Sequence, residues 1–421
     1  MRRFKLVRLT REEKRMLQGE MGEAPKESLE LQLKVGEFFE AERFVPVTNV
    51  HMMGDVEVMG DGGLEFMRRM AELGARCAVN TTTNARCFDF DYVERLNQDK
   101  KTAEKEKELI SLLRQMGIIT ADTCINYQSL YQPHLDEHVA WGDTGTVIYA
   151  NSVLGARSNF ESGPVAFAAA LTGRVPEYGF HLDERRKGTV LVELKAKPKN
   201  LADWGAIGKL IGEKYQDYFS VPVFAGVEEP PMADELKHLG ASLASYGSMG
   251  MFHMVGVTPE ARTLEDAFGG EEPKATLTVT DGDIEELYAS YDTKGGSANL
   301  VVFSGPQLSL YELKTLSELL EGKKVKEGTS LIVTTNRGYK SVGEKLGYLR
   351  KIEEAGGLVL EGVCFYILDS IARLRVENGW DNLVTNSAKL ANIIAAHKFN
   401  PILRRTEECV EVALTGRVEQ P

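Results

Sequence analysis

Cysteine is the residue type in this sequence that offers the most distinctive chemistry. There are five cysteines, at positions 77, 87, 124, 364 and 409. Their number is odd and they form no C-x-x-C pair, which disfavours both a disulfide framework and an ordinary zinc ribbon. Cys124 lies in a loop-like Asp-Thr-Cys segment, Cys364 ends a strand-like segment and Cys409 opens a further segment. By composition these three cysteines are either buried thiols or ligands of an iron–sulfur cluster, and the second hypothesis is the more specific one.

The histidines and the familiar catalytic motifs add little. The seven histidines form no metal-ligand pair, and His51 stands in apolar surroundings, where it could either move a proton or support a loop. There is no Walker A sequence, no G-x-G-x-x-G after a strand, no H-E-x-x-H and no G-x-S-x-G. The segment 117–190, dense in Gly, Asn, Ser and Thr, instead predicts a polar pocket lined by loops.

Charge and hydropathy exclude several classes of protein. The 421 residues include 50 Lys and Arg against 62 Asp and Glu, a net charge of −12. This balance argues against nucleic-acid binding and against attachment to anionic lipid. No apolar run approaches the length of a membrane span, and the N-terminus lacks the apolar region of a secretory signal. We therefore expect a cytoplasmic protein.

The elements that must position these residues alternate between strands and helices. Such alternation predicts an α/β fold with mainly parallel sheets. We expect three domains: an N-terminal catalytic region at 1–187, a middle domain at 188–274 and a C-terminal domain at 275–421. Thr10 and Glu13 form a capping-box pattern for the first helix, and the pattern over 98–117 predicts an amphipathic helix with a solvated charged face.

Several longer blocks, spread over nearly the whole chain, resemble the aconitase X family, the catalytic or large-subunit branch of the aconitase superfamily. The matching blocks are LTREEKRMLQGEMGEA, GDGGLEFMRRMAELGARCAVNTTTNA, DTCINYQ, AWGDTGTVIYANSVLGARSNFESGP, AALTGRVPEYGFHLDERR, KHLGASLASYGSMGMFHMVGVTPEA, FSGPQLSLYEL, TNSAKLAN and ECVEVALTG. The resemblance implies an aconitase-like arrangement of several α/β domains around a central cleft.

The resemblance also implies an activity and a cofactor. Members are hydro-lyases that dehydrate cis-3-hydroxy-L-proline or mevalonate 5-phosphate, with an iron–sulfur cluster, [2Fe-2S] or [4Fe-4S], held by three cysteines. Carried over to this sequence, the ligands are Cys124, Cys364 and Cys409. Three cysteine ligands would leave one iron position open for the departing hydroxyl, which needs a Lewis acid.

A second polypeptide is implied as well. Family members carry a swivelling domain that closes over the site and supplies a serine as the base. Here the opening motif starts within ten residues of Met1. We therefore expect this chain to lack the swivelling domain and to work with a separate small subunit.

The remaining candidate residues are of types that can hold a carboxylate whose charge grows during proton removal. His51 and Lys389 are the catalytic candidates. The substrate-binding candidates are Thr83, Asn84, Asn151, Ser152, Arg157, Asn386 and Ser387. Structural ion pairs would equally explain Arg157 and Lys389, and turn or cap chemistry would explain Thr83, Asn84, Asn151 and Ser152.

The sequence departs from the family pattern in places. Members often read G-C-P-H or G-T-P-H where this chain has Gly305-Pro306-Gln307, so glutamine replaces a histidine. Departures around Cys124 and at 158–164 from the archaeal pattern weaken the assignment to mevalonate 5-phosphate.

Four hypotheses about function follow from these observations. Dehydration of cis-3-hydroxy-L-proline to Δ1-pyrroline-2-carboxylate is the first, and dehydration of mevalonate 5-phosphate is its rival within the same enzyme class. A third is a non-enzymatic, RNA-binding relative of aconitase, against which the net charge of −12 argues. A fourth is an inactive scaffold that only holds the small subunit.

Overall fold

The computed structural model describes residues 7–161 and 163–419 of the chain. It contains three α/β domains that follow one another along the sequence. No helix in these two ranges is long and apolar enough to cross a membrane.

The first domain holds two small sheets covered by helices. Its helices are α1 (Arg11–Leu17), α2 (Glu23–Phe38), α3 (Val56–Glu72), α4 (Lys100–Gln115), α5 (Asn126–Ser129), α6 (Thr144–Tyr149) and α7 (Pro164–Thr172). Its strands are β1 (Phe44–Pro46), β2 (Asn49–Met52), β3 (Asn80–Thr83), β4 (Ala140–Trp141) and β5 (Arg174–Pro176). Strands β3, β2 and β4 form a parallel sheet in that order, and β1 pairs antiparallel with β5.

The second domain is a four-stranded parallel sheet in the order β8-β7-β6-β9. Its strands are β6 (Val190–Leu194), β7 (Pro222–Ala225), β8 (His253–Met254) and β9 (Ala275–Val279). Its helices are α8 (Leu201–Tyr215), α9 (Ala233–Gly247), α10 (Leu264–Phe268) and α11 (Asp281–Ala289). The glycines of α8 let it approach α9 closely, since a Cβ at Gly208 would lie 2.7 Å from the Leu239 carbonyl oxygen.

The third domain is a five-stranded parallel sheet in the order β12-β11-β10-β13-β14. Its strands are β10 (Leu300–Leu308), β11 (Ser330–Thr335), β12 (Leu358–Glu361), β13 (Asn382–Thr385) and β14 (Asn400–Leu403). Its helices are α12 (Leu310–Leu320), α13 (Arg337–Lys345), α14 (Tyr348–Ala355), α15 (Ile371–Glu377), α16 (Ala388–Ile394) and α17 (Thr406–Thr415). Apolar clusters cover both faces of this sheet, as expected for parallel strands enclosed by helices.

The structure confirms the helix signals in the sequence. The Thr10 side chain accepts a hydrogen bond from the backbone of Glu13, whose carboxylate accepts one from Thr10 in return. The helix predicted over 98–117 is α4, capped by the side chain of Asp99.

The predicted boundary between residues 274 and 275 differs from the structure. The strand that begins at Ala275 pairs with β6 along its whole length, from Val190 to Leu194. The following helix α11 packs on α8. The second domain therefore extends through Ala289, because sheet pairing, which the local sequence pattern cannot reveal, places β9 there.

Candidate active site

The candidate site lies where the carboxyl ends of parallel strands from two domains meet. In the third domain the strand order reverses between β10 and its neighbour β13. Loops diverge at such a reversal and leave a crevice in which ligands of α/β proteins bind. Cys364 follows β12 at this edge, and the first domain brings Cys124 into contact with it. We call Cys124, Cys364, Lys389 and Asp143 the thiol cluster.

The two thiols of the cluster hydrogen-bond to each other, and this interaction shifts their pKa values in opposite directions. Burial raises the pKa of Cys364, but the hydrogen bond with Cys124 and the charge of Lys389 outweigh it, so that the pKa lies below its ordinary value. The same hydrogen bond and burial raise the pKa of Cys124 well above its ordinary value. Negative charge therefore resides first on Cys364, whose Sγ also lies 3.8 Å from Ser304 Oγ.

Gln307 connects the two cysteine loops. Its backbone N–H donates to Cys124 Sγ at 3.2 Å, and its side-chain Oε1 accepts from the Cys124 N–H at 3.3 Å. Its Nε2 donates to the carbonyls of Asp122 and Val363 at 3.2 and 3.1 Å. One fully buried amide thus holds the backbone around both thiols, which makes Gln307 a positioning residue for the cluster.

Lys389 supplies the positive charge. It lies in the first turn of α16, and its Nζ is 3.5 Å from Asp143 Oδ1. Asp143 also caps α6, accepting from the N–H groups of Gly145 and Thr146. Burial lowers the pKa of Lys389, but the charges of Asp143 and the two cysteines raise it by more. The pKa therefore lies above its ordinary value, and the ammonium stays charged. A buried ammonium of this kind can hold a substrate carboxylate.

His51 lies close to the cluster on β2 and stays neutral. Its Nδ1 is 2.8 Å from Thr82 Oγ1, and within the described ranges its Nε2 has no hydrogen-bond partner. Burial lowers its pKa to about 4, while Asp143 and the neighbouring Thr123 and Asn84 oppose this effect only in part. The ring can therefore take up a proton only transiently at neutral pH.

Three other predicted residues lie around the cluster in supporting roles. The Thr83 hydroxyl donates to Asp122 at 2.9 Å, in the turn before Cys124. Asn84 Nδ2 donates to Met53 Sδ, and its Oδ1 accepts from the next backbone N–H. Ser387 caps α16 and donates to the Gly305 carbonyl at 2.5 Å, which ties the lysine-bearing helix to β10.

Asn151, Ser152 and Arg157 are not brought to the thiol cluster. The Asn151 amide bonds to the carbonyls of Ser158 and Gly250 and to the Ser158 N–H. Ser152 Oγ accepts from the Phe252 N–H. Arg157 pairs with two aspartates, Asp136 and Asp183, and donates to the His181 carbonyl. These contacts fasten the first domain to itself and to the second domain.

Asn386 and Cys409 also lie apart from the cluster. Asn386 donates to Thr406 Oγ1 at 3.0 Å, beside a groove between the second and third domains. Cys409 lies inside α17 in the apolar core of the third domain, with its Sγ 3.5 Å from the Arg404 carbonyl oxygen. Burial and the carboxylate of Glu408 raise the pKa of Cys409 well above its ordinary value.

The residues present do not fit a cluster held by all three predicted cysteines. Cys124 and Cys364 adjoin each other, whereas the charged neighbours of Cys409 are Glu407, Glu408 and Arg404, none of which belongs to the thiol cluster. Residues 7–161 and 163–419 contain no group of three His, Cys, Asp or Glu side chains placed to hold a metal ion. The three-cysteine ligand set expected from the resemblance is therefore not assembled in this fold.

Three residues of the site were missed by sequence reasoning: Asp143, Ser304 and Gln307. Asp143 carries a signal, since Asp before Thr-Gly-Thr is a helix-cap pattern, but a cap gives no hint of a lysine partner. Gln307 stands at the departure from the family pattern. Its bonds to two distant loops could be recognised only after folding.

Comparison with protein-family models gives matches over nearly the whole chain. Residues 6–184 match the aconitase X first domain, 188–289 the second domain and 298–415 the third domain. The second of these matches ends where the structure ends the second domain, at residue 289.

Known proteins of similar sequence and structure agree with these matches. The phosphomevalonate dehydratase large subunit of Thermococcus kodakarensis is 33% identical, over 96% of this chain and 99% of that protein. The cis-3-hydroxy-L-proline dehydratase of Pseudomonas aeruginosa is 31% identical, over 96% of this chain and 69% of that protein. The crystal structure of Thermococcus kodakaraensis aconitase X in its holo-form superimposes with a TM-score of 0.86 at 33% identity, covering 97% of this chain and 100% of that one. The chain therefore belongs to the aconitase X family, and it is an enzyme of the hydro-lyase class.

Proposed function

We propose that this chain is the large subunit of a two-subunit dehydratase whose substrate is cis-3-hydroxy-L-proline. The observation that carries this proposal is the Lys389–Asp143 pair beside the two thiols. Both side chains are buried, so each charge would interact strongly with a charged substrate group.

The pair matches the charges of an amino acid. A cis-3-hydroxyproline zwitterion carries one carboxylate and one ammonium, and Lys389 and Asp143 offer one partner to each. Lys389 would bind the carboxylate, and Asp143 would bind the ring nitrogen while its second oxygen keeps the two backbone bonds of α6. This arrangement would hold the Cα–H and the 3-hydroxyl in one fixed orientation, which is a major source of rate enhancement.

The reaction needs charge stabilisation that grows as it proceeds. When the α-proton leaves, negative charge spreads into the carboxylate, and a buried ammonium next to it stabilises that charge more than it stabilises the substrate. Lys389 has this position in our proposal. The base is expected from the small subunit, as the resemblance implies. Neutral His51 keeps its Nε2 free to receive or return a proton beside Asn84.

A second candidate substrate is mevalonate 5-phosphate. The relatives named phosphomevalonate dehydratase large subunit favour it, since two of them are 33% and 34% identical to this chain. The charge at the thiol cluster favours the amino acid, because Lys389 is the single cation among its four members and is already paired. A phosphate group is usually held by several cationic or backbone donors.

The test is an assay of water loss with both substrates. The full chain is co-expressed anaerobically with a small subunit consisting of the swivelling domain, and product is measured as Δ1-pyrroline-2-carboxylate or as dehydrated mevalonate 5-phosphate. We expect turnover of cis-3-hydroxy-L-proline. Turnover of mevalonate 5-phosphate alone would replace the substrate assignment, and turnover of neither substrate by a folded complex would refute the proposal.

A further inference from the structure

A buried carboxyl and a buried imidazole outside the thiol cluster face each other with unused polar atoms. Both carboxylate oxygens of Glu161 and the Nε2 of His181 have no hydrogen-bond partner among the described residues. Glu161 and His181 are 1% and 2% exposed, and unsatisfied polar atoms at this depth call for an explanation. His181 Nε2 lies 3.9 Å from Glu161 Oε1, slightly more than a hydrogen bond, so a small rotation of the carboxyl group brings the two atoms into contact.

A second histidine continues this contact toward the surface. The Nδ1 atoms of His138 and His181 are 2.8 Å apart, and the planes of the two stacked rings differ by 21°. A contact this short between two ring nitrogens has a hydrogen on one of them, so one imidazole donates and the other accepts. His138 is half-buried, whereas His181 and Glu161 are fully buried. The three side chains therefore form a row from a partly exposed ring to a buried carboxyl.

Both histidine rings of this row are neutral. Burial lowers the pKa of His181 to about 3 and that of His138 to about 4. The guanidinium groups of Arg157 and Arg186 add to this effect, and the carboxylate of Glu177 opposes it only in part. A neutral imidazole has one N–H and one free lone pair, so each ring can accept a proton on one side and donate one on the other. The carboxylates that pair with the two guanidinium groups are those of Asp136, Asp183 and Glu260.

Glu161 is the group in the row that can hold a proton. Burial raises its pKa to about 7, and the Asn159 side chain next to it opposes this effect only in part. At neutral pH the protonated and the ionised carboxyl are therefore both populated. The other titratable groups that face Glu161 are the phenols of Tyr178 and Tyr218, whose pKa burial raises well above the ordinary value.

Glu161 lies at the carboxyl end of the parallel sheet of the first domain. Its N–H donates at 2.9 Å to the carbonyl of Trp141, the last residue of β4. Trp141 pairs with His51 across the sheet, and Asp143 of the thiol cluster follows two residues later. The carboxyl ends of parallel strands meet at one edge of a sheet, so Glu161 stands on the edge that also carries His51 and Asp143.

We propose that Glu161, His181 and His138 form a proton path between solvent and a buried carboxyl at this edge of the sheet. The Glu161 O–H gives its proton to His181 Nε2, His181 Nδ1–H gives its proton to His138 Nδ1, and His138 Nε2–H gives one to water. Glu161 is left as a carboxylate, each ring is again neutral with its hydrogen on the other nitrogen, and one proton has entered the solvent. The same steps in reverse return the proton.

Such a path has a use in the proposed dehydration. Water loss removes one proton from carbon and adds one to the departing hydroxide, so it benefits from a group at the site edge that exchanges protons with solvent. Only this use of the path rests on the proposed function. The proton exchange itself depends on the three side chains and can be measured without any turnover.

The test is a laser-triggered pH drop on the full chain, in which a caged acid releases protons and time-resolved infrared absorption follows the protonation of carboxylates. The experiment starts at alkaline pH, and Glu161→Gln assigns the Glu161 band because glutamine has no carboxyl group. We expect the band to appear about 10²-fold more slowly in His181→Phe, which keeps a ring but has no ring nitrogen. His138→Ala should slow it by about 10-fold, and added imidazole should restore the rate.

The matched control is His134→Ala, which removes an exposed histidine four residues before His138 and should leave the rate unchanged. The thermal unfolding midpoint of each variant is measured, and His181→Gln replaces His181→Phe if the phenyl ring unfolds the chain. An unchanged rate in a folded His181 variant would overturn the proposal, and so would the absence of a band that depends on Glu161. A slow His138→Ala that imidazole does not restore would also overturn it, since the effect would then be structural. Proton exchange along the path in a complex without turnover would uphold the path and refute only the proposed function.

Discussion

The thiol cluster and the segment 150–161 contain similarly polar, similarly buried side chains, but they use their polar atoms differently. In the segment, Asn151 and Ser152 bond to backbone groups, and Arg157 bonds to a backbone carbonyl and to two exposed carboxylates. In the cluster, the two thiols and the Lys389–Asp143 pair bond to one another and adjoin His51, whose Nε2 lacks a partner in the described structure.

The comparison shows that burial of polar residues does not by itself indicate a catalytic site. A fully bonded polar group stabilises one conformation, because removing its partner leaves an unsatisfied group in the interior. A group that is charged, buried and bonded mainly to another movable side chain can exchange that partner for a substrate. The following predictions test this distinction.

The largest effect is expected from Lys389→Met. Loss of the ammonium removes charge stabilisation at the reacting carboxylate, so kcat/KM should fall by about 10³-fold. Lys237→Met is the comparison variant, since Lys237 is equally buried but pairs with Asp234 and Glu312, and it reaches the thiol cluster only through its 3.4 Å hydrogen bond to the Gln307 carbonyl. The comparison variant should lower the unfolding free energy by about 3–5 kcal/mol and change kcat little at temperatures where it is folded. Equal losses of kcat/KM in Lys389→Met and Lys237→Met would show that the thiol cluster does not differ functionally from another buried ion pair.

Gln307→Ala should give the next largest effect on activity. The variant keeps both thiols but loses the side-chain bonds to the loops that carry them, and we expect kcat to fall by about 10²-fold. Gln307→Glu, which keeps the size but replaces the donor to the Asp122 and Val363 carbonyls with an oxygen, should lose at least as much. The steady-state kinetics of both variants are measured together with their thermal unfolding midpoints, so that a loss of activity is separated from a loss of folding. A normal kcat in Gln307→Ala would show that the side-chain bonds of Gln307 are dispensable.

Asn151→Ala should affect stability and leave the chemistry alone. It removes three buried hydrogen bonds and leaves their backbone partners unsatisfied, so the unfolding free energy should fall by about 2–4 kcal/mol. Denaturant unfolding measures this loss. The kcat and KM of the folded variant should stay within about twofold of the unaltered enzyme. A KM raised by about 10-fold or more would return Asn151 to the substrate-binding residues.

The smallest effect is expected at Glu161, which differs from the hydrogen-bonded polar residues of the segment 150–161. Its carboxylate oxygens are buried without hydrogen-bond partners among the described residues, and burial raises its pKa to about 7. The folded state then holds its proton at pH values where the unfolded state has lost it, so stability falls as the pH rises from 4.5 to about 7.

Glu161→Gln removes this dependence because glutamine does not ionise. We expect the variant to match the unaltered protein at acidic pH and to be more stable by about 3 kcal/mol at alkaline pH. Thermal unfolding midpoints recorded across this pH range test the sign. Lower stability of the variant at alkaline pH would mean that the ionised carboxylate has a stabilising partner.

The sequence alone predicted much of the fold because its signals are local. The capping box at Thr10 and Glu13, the charged face of α4 and the alternation of strands and helices all depend on residues near one another in the chain. The boundary after residue 274 was wrong because β9 joins the second sheet through pairing with β6, a contact between distant segments.

Within the candidate site, the sequence determined which residue types were available, and the tertiary structure decided which of them meet. Cys124, Cys364 and Lys389 stand in recognisable motifs, and so do Cys409 and Arg157. Only the tertiary structure brings Cys124, Cys364 and Lys389 together and leaves Cys409 in the core of the third domain and Arg157 beside Asp136 and Asp183. A thiol or a lysine acquires its chemistry from neighbours that are distant in sequence, and folding alone brings Asp143 to Lys389 and Gln307 to both cysteine loops.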